Sequence, residues 1–254
     1  MGRRSHKHPL RFWCGLLVML AIWGGINPPA RAQNHLVNET LRYEVFSGVG
    51  VTSNSHFGYS GGVWAFGRDV SSQGLRAKAL AGYGGYDYDG SLPGVTGPVS
   101  FDGNVVLAQF LLGYLWQRGE WTFKAYGGFG FEDHDITPND PANSVNGSEL
   151  GVMGQVEVWR NLGENNFLSA DASYGDAFGS YWAQLRLGRR ITKRMSAGLE
   201  GAALGNDEYD SGRGGGFIRY HLGDMELTMS GGVSGDYYGQ DTSGYAALGL
   251  YRKF

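Results

Sequence analysis

Charged side chains occur among the positions that alternate with apolar or small residues in several segments, so they share one face of each predicted strand. Cations and carboxylates on such a face could line a polar conduit that contacts sugars. They could equally fill a narrow interior with ion pairs, because buried charges must be paired. The two signs are nearly balanced, unlike the single-sign basic lining expected of a pore for acidic sugars. The predicted lumen-facing polar residues are Glu44, Arg76, Lys78, Lys124, Glu157, Asp171, Arg186, Glu200 and Arg219.

A second set of candidates lies in the polar segments that separate the strands, where tyrosines and carboxylates cluster. Tyrosine rings can lie against sugar faces, and carboxylates can bind a neutral polysaccharide or Ca²⁺. The spacing of these carboxylates differs from that of an EF-hand loop. Solvated loops that face an anionic lipopolysaccharide layer are the alternative interpretation. The predicted glycan contacts on these loops are Tyr88, Asp89, Tyr209, Tyr237 and Tyr238.

Histidines are the remaining residues that could support catalysis. His56 and His134 are predicted in outer loops, and His221 is predicted at a turn on the opposite side. Nothing in the sequence pairs one of them with a serine, because a catalytic triad is defined by geometry. The run Asp133-His134-Asp135 is either a metal cluster or a polar loop. We therefore predict no catalytic residue, no metal site and no cofactor.

The composition indicates which elements must position these residues. The chain has 254 residues, of which 44 are Gly, 14% are aromatic and 18% are charged. Disordered chains have fewer aromatic and more charged residues, and collagen places glycine at every third position. Glycine also costs roughly 1 kcal/mol per site inside a helix. These comparisons leave an all-β fold.

The N-terminus predicts export from the cytoplasm. Basic residues within positions 3–11 precede an apolar run over 12–26 and a small-x-small site at 30–32. These are the three parts of a secretory signal peptide. We predict cleavage between Ala32 and Gln33, so that residues 1–32 are the signal peptide and residues 33–254 form the barrel domain. Loss of this basic leader makes the mature chain more acidic than the net charge of −3 of the whole sequence, which argues against a nucleic-acid partner.

Twelve segments with period-two alternation predict the strands. Connections after even-numbered strands are mostly tight, those after odd-numbered strands include the longest and most polar, and aromatic residues gather at both strand ends. These features are typical of bacterial outer-membrane β-barrels, although a soluble β-sandwich also alternates. We predict an antiparallel transmembrane β-barrel of about 12 strands in the Gram-negative outer membrane, surrounded by lipid. The predicted strands span residues 41–51, 57–66, 75–86, 104–116, 121–132, 148–160, 167–175, 180–190, 195–205, 213–222, 225–235 and 244–254.

Several segments of the chain, taken in order, resemble the alphaproteobacterial cellulose biosynthesis protein BcsS family. Each segment alone is an alternation of glycine and aromatic residues that many barrels share, whereas the ordered set is more specific. The resemblance implies an envelope protein of the apparatus that makes and exports bacterial cellulose, and it supplies no catalytic residue. The segments are RYEVFSG at 42–48, RAKALAGYGGYDYDG at 76–90, residues 122–143, residues 198–217, and GYAALGLYRKF at 244–254.

We therefore expect a non-enzymatic outer-membrane accessory of cellulose or exopolysaccharide biosynthesis and secretion, which acts as a port or as a surface organiser for glucan. Its expected partners are cellulose or another glucan and other components of cellulose secretion. Two alternatives stay open at this point. One is a small substrate-selective porin unrelated to cellulose, and the other is a barrel hydrolase that acts on a lipid or a glycan.

Overall fold

The computed structural model describes residues 41–67, 69–235 and 242–254. The predicted signal peptide and its cleavage site lie outside these residues, and so do two of the predicted glycan contacts, Tyr237 and Tyr238.

Twelve antiparallel strands form a closed barrel, in which each strand pairs with its neighbours in sequence and β1 pairs with β12. The predicted fold class, strand number and topology are therefore confirmed. A short 3₁₀ helix, Ala177–Gly179, connects β7 to β8. The strands are β1 Tyr43–Val51, β2 Ser55–Ala65, β3 Gly74–Gly90, β4 Val99–Arg118, β5 Trp121–Thr137, β6 Gly147–Leu162, β7 Asn166–Gly175, β8 Tyr181–Arg190, β9 Met195–Asn206, β10 Tyr209–Leu222, β11 Met225–Ser234 and β12 Ser243–Lys253.

The two ends of the barrel are distinguished by the chain termini. At the inner end β1 begins and β12 finishes, and the Phe254 backbone N–H donates to the Tyr43 carbonyl over 2.8 Å. At the opposite, outer end lie the connections 91–98 and 138–146. Among the described residues, no helix is long and apolar enough to cross a membrane.

Strands β3, β4 and β5 extend further towards the outer end than the sequence predicted. The predicted loops 87–103 and 133–147 shorten to 91–98 and 138–146. The prediction was wrong because the polar residues there suggested loops, whereas the strands continue to pair, with Asp87 opposite Asp102. Strand β10 likewise begins at Tyr209 and not at residue 213. Tyr88, Asp89, His134 and Tyr209 consequently lie in strands and not in loops.

The outward-facing side chains are mainly apolar. Leu150 and Leu199 are 69% and 70% exposed, whereas Glu200, the next residue along β9, is buried. An apolar outside around a polar inside is typical of a wall that faces lipid. Large aromatic residues are exposed at both borders of this wall, with Tyr83, Phe129 and Tyr174 towards the outer end and Trp116 towards the inner end.

Strand β4 was ambiguous in the sequence because it is apolar on both faces. In the structure Leu111 and Leu115 are buried inside the barrel, whereas Phe110 and Leu112 are 57% and 55% exposed outside it. The apolar Leu111 packs with Tyr126 and Met153 of β5 and β6. The interior therefore contains an apolar layer in addition to its charged groups.

Candidate functional site

A cross-barrel ion-pair network links four of the predicted interior residues, Glu44, Lys78, Lys124 and Glu157. The Lys78 Nζ atom lies 2.6 Å from Glu157 Oε1, and the Lys124 Nζ atom lies 3.0 Å from Glu157 Oε2. Lys124 Nζ also lies 3.5 Å from Glu44 Oε2. Because β1 and β5 are not neighbours, and neither are β3 and β6, the contacts of Lys124 with Glu44 and of Lys78 with Glu157 can form only across the interior, whereas Lys124 and Glu157 are opposite each other on neighbouring strands.

A second network, centred on Glu200, occupies the opposite wall. The Arg186 Nε–H donates to Glu200 Oε2 over 2.7 Å, and the Ser230 hydroxyl donates to the same oxygen over 3.1 Å. The Tyr245 hydroxyl donates to Glu200 Oε1 over 2.8 Å. This network joins β8, β9, β11 and β12, and β9 and β12 are not neighbours.

An aromatic cluster surrounds Arg219 near the inner end. Its Nε atom lies 2.9 Å from Glu226 Oε1 on the neighbouring strand. The guanidinium carbon also lies 5.3 Å from the centre of the Phe167 ring and 5.5 Å from that of Trp159. The Phe167 ring lies against the backbone of Gly188, where an added Cβ would overlap it. A glycine is thus required at that position.

The remaining two predicted interior residues belong to neither network. Arg76 is buried and donates hydrogen bonds to the backbone carbonyls of Val70, over 3.0 Å, Ser72 and Leu75. It therefore ties the connection between β2 and β3 to the barrel. Asp171 lies on β7 directly opposite Glu157 in the register of the sheet. The structure thus places Arg76 in a structural contact and Asp171 beside the cross-barrel network.

A hydrophobic cluster fills part of the outer end. Tyr88, one of the predicted glycan contacts, is only 4% exposed and stacks on Phe101 with a distance of 5.0 Å between ring centres. Its ring is therefore covered by protein and does not offer a face to a sugar, which corrects the predicted exposed loop position. The cluster consists of Tyr88, Phe101, Ile136, Val145 and Phe178.

Hydrogen bonds hold the Tyr88 hydroxyl within this cluster. The hydroxyl donates to Asp140 Oδ2 over 2.9 Å and accepts from Asn143 Nδ2 over 3.0 Å. Burial, reinforced by the hydrogen bond to Asp140, raises the pKa of Tyr88 to about 12. The segment 138–146 is thus fastened to the outer part of β3.

His134, which the sequence placed in a loop, is buried in β5 beneath the connection between β7 and β8. Its Nδ1 atom lies 3.1 Å from the Tyr86 hydroxyl, and its Nε2 atom lies 3.6 Å from Glu132 Oε2. Phe178 packs edge-on against the imidazole at 5.2 Å between ring centres. The Ser180 hydroxyl donates over 2.8 Å to Glu132 and not to the histidine.

Sequence reasoning did not single out several residues that complete these clusters. The backbone at Phe178 has a positive φ of 50°, and its side chain packs in the outer-end cluster. Neither period-two alternation nor a sequence motif predicts such a conformation at a single residue. Tyr245 and Ser230 share the partner Glu200, and this contact depends on the closure of the barrel. Tyr86 precedes the predicted loop 87–103 and contacts His134 only because the strands continue.

Charge is distributed unequally between the two ends. The described Lys and Arg residues lie in the middle and the inner half of the barrel, apart from Arg213 on β10. Burial raises the pKa of Asp87, with further contributions from Asp102 and Asp89.

Among the residues that the structure describes, no group of three or more His, Cys, Asp or Glu side chains is placed to hold a metal ion. The outer-end carboxylates are Asp87, Asp89, Asp102, Glu132, Asp133, Asp135, Asp140, Glu149, Asp176, Asp207, Glu208 and Asp210.

The two remaining predicted glycan contacts lie at this acidic end. Asp89 is exposed on β3, opposite Ser100, and Tyr209 is half-buried at the start of β10, opposite Asn206. Strands β3 and β10 are not neighbours in the barrel. Their role in glycan contact stays a prediction.

Comparison with known proteins gives one family and a set of similar folds. The family described as "Cellulose biosynthesis protein BcsS" matches residues 44–254. The transport unit of the autotransporter AIDA-I from Escherichia coli is similar in structure, with a TM-score of 0.51, 8% identity, and coverage of 88% of this chain and 93% of that one. The toluene transporter TodX from Pseudomonas putida has a TM-score of 0.50, 9% identity, and coverage of 85% and 90%. At these identities the likeness shows the barrel fold alone. No curated protein matches the sequence significantly.

Proposed function

The chain belongs to the cellulose biosynthesis protein BcsS family, and from this premise we propose that it is a non-enzymatic outer-membrane accessory of cellulose production that organises glucan at the cell surface. The family supports the link to cellulose. The finer role rests on the arrangement of side chains inside the barrel and at its outer end.

The outer wall supports placement in the outer membrane. Exposed leucines and valines cover the middle of the barrel, and exposed aromatic residues lie at both borders. Such a surface is unfavourable in water but suits a bilayer. The closed ring of strands also satisfies the backbone hydrogen bonds that lipid cannot satisfy.

The cross-barrel ion pairs are the observation that favours a surface organiser over a port. A glucan chain that crossed the lumen would have to pass the contacts of Glu157 with Lys78 and of Lys124 with Glu44. Separating buried charges leaves each without compensation, which costs about 3–5 kcal/mol for a pair. The apolar layer of Leu111, on the strand between Lys78 and Lys124, narrows the same interior further.

The surroundings of His134 argue against a hydrolytic role for this residue. His134 lies next to Tyr86 and Glu132, and the nearby Ser180 hydroxyl donates to Glu132. A serine hydrolase needs a histidine that accepts the proton of the serine hydroxyl. This cluster instead holds the connection between β7 and β8, because Glu149 also accepts a hydrogen bond from the Phe178 backbone N–H over 2.9 Å.

Contact with glucan is proposed at the acidic outer end. Asp89 can accept hydrogen bonds from sugar hydroxyls, and Tyr209 supplies an aromatic group at the same end of the barrel, on β10. Tyr237 and Tyr238 are proposed as further contacts on the basis of the sequence. Tyr88 is not included, because its ring is covered by Phe101.

A chromosomal deletion with complementation tests this role. We expect the deletion to reduce the cellulose yield or disorder the fibres, and the wild-type gene to restore both. A copy with Asp89→Ala and Tyr209→Ala should restore only part of the fibre order, whereas a control copy with Glu164→Gln at an inner turn should restore it fully. Unchanged cellulose in the deletion strain would overturn the proposal.

A further inference from the structure

An apolar groove of about 400 Å³ lies on the barrel wall near the inner end, between β6 and β9. Its floor is the backbone of Gly188 and Gly198, which face each other in the register of β8 and β9. Both glycines are inward-facing positions, since an added Cβ at Gly188 would overlap the interior Phe167 ring, so only backbone forms the floor of the groove on the outer wall.

Outward-facing side chains form the walls of the groove. Leu187 and Leu199 are cross-strand partners and are more than half exposed. The next outward pair towards the inner end is Arg189 opposite Ala197. The small Ala197 leaves space beside the Arg189 side chain, and Leu162 closes the other side. The groove is therefore apolar along most of its length and cationic at its inner end.

Further cations follow immediately after the groove. Lys193 and Arg194 are exposed in the turn between β8 and β9. Within the described part of the chain, Arg189, Lys193 and Arg194 have neither an ion pair with a carboxylate nor a ring beneath the charged group. In contrast, the Arg160 guanidinium stacks on Trp121 at 4.6 Å. The three cations beside the groove are thus available to an external anion.

We propose that this groove binds an anionic phospholipid of the inner leaflet, with an acyl chain between Leu187 and Leu199 and the phosphate at Arg189, Lys193 and Arg194. An apolar chain matches the groove, and a phosphate matches the unpaired cations. A neutral partner would not use the cations, and a soluble anion would not use the groove. The inference rests on the proposed placement in the outer membrane, but not on the role in cellulose production.

Native mass spectrometry of the purified full-length barrel tests the site. The protein is released from detergent in the presence of equal amounts of phosphatidylglycerol and phosphatidylcholine. We expect selective retention of phosphatidylglycerol, weakened about five-fold by Arg189→Gln and roughly hundred-fold by neutralising Arg189, Lys193 and Arg194 together. The variant Ala197→Phe, which fills the groove, should abolish retention of both lipids.

Two matched variants control for general effects on the barrel surface. Arg118→Gln removes an exposed inner-end cation away from the groove, and Ala77→Phe enlarges an outward-facing alanine on β3. Both should retain phosphatidylglycerol like the wild type. Each variant is first checked for folding by its migration on a gel before and after heating. Equal retention of the two lipids, or equal loss in the control variants, would overturn the proposal, whatever the outcome of the cellulose experiment.

Discussion

Glu157 is the most informative residue at which to test the cross-barrel network. Its two carboxylate oxygens contact Lys78 and Lys124 over 2.6 and 3.0 Å, and its side chain is only 19% exposed. The variant Glu157→Gln keeps the volume and removes the negative charge. Removing one partner of a buried ion pair costs about 3–5 kcal/mol. The amide oxygen of Gln can still accept one hydrogen bond, so we expect a loss near the lower value, about 3 kcal/mol.

The assay is urea unfolding of the barrel in lipid vesicles, followed by tryptophan fluorescence. We expect the free energy of unfolding of Glu157→Gln to be about 3 kcal/mol lower than that of the wild-type protein. The double variant Lys78→Met and Glu157→Met removes both charges and leaves Lys124 with Glu44. It should recover most of the loss, because replacing a buried pair by apolar residues is often neutral or stabilising.

Glu164→Gln is the matched control, because Glu164 is exposed in the turn between β6 and β7. Surface substitutions of this kind usually change stability by less than about 0.5 kcal/mol. If Glu157→Gln unfolded at the same urea concentration as Glu164→Gln, the ion pairs would not be holding the interior together. The argument against a port would then lose its basis.

Three further predictions concern the wall and the outer end. Gly198→Ala should destabilise the barrel by about 1–3 kcal/mol in the same unfolding assay, because the added Cβ would overlap the Leu187 carbonyl oxygen. The control Gly154→Ala should leave the free energy of unfolding unchanged, because nothing lies near its Cβ position. Phe178→Ala should release the connection between β7 and β8 and make it sensitive to added protease, since it removes the packing on His134; equal protection in both proteins would contradict this role. Tyr88→Phe should lower stability at neutral pH by about 1 kcal/mol through the lost hydrogen bond to Asp140. The pKa of Tyr88 is raised to about 12 in the folded state, so its contribution is present below about pH 10 and is lost as the pH rises towards 12. The decline of stability over that range should therefore be smaller in Tyr88→Phe, and equal declines would refute the assignment.

Period-two alternation was sufficient to predict the number of strands and their approximate positions. This succeeded because one face of each strand meets an apolar environment and the other meets a polar interior. Where both faces are apolar, as around Leu111, alternation carries no information, and only packing against Tyr126 decides the side.

The contacts across the barrel could not be predicted from the sequence. Lys78 and Glu157 are 79 positions apart, and their meeting depends on the closure and stagger of the twelve strands. The extension of β3 to β5 was missed for a different reason. Polar residues outside a bilayer are compatible with both loops and strands, so Asp87 and Asp102 did not mark the end of pairing.

Single-channel conductance in planar bilayers tests most directly whether the barrel acts at the surface and not as a port. With the purified wild-type protein, the bridged interior predicts no stable conductance steps. A variant with Glu44→Ala, Lys78→Ala, Lys124→Ala and Glu157→Ala, which removes all the cross-barrel ion pairs without filling their space, should produce measurable steps. Stable conductance of the wild-type protein that soluble cello-oligosaccharides block would contradict the account and establish a glucan port.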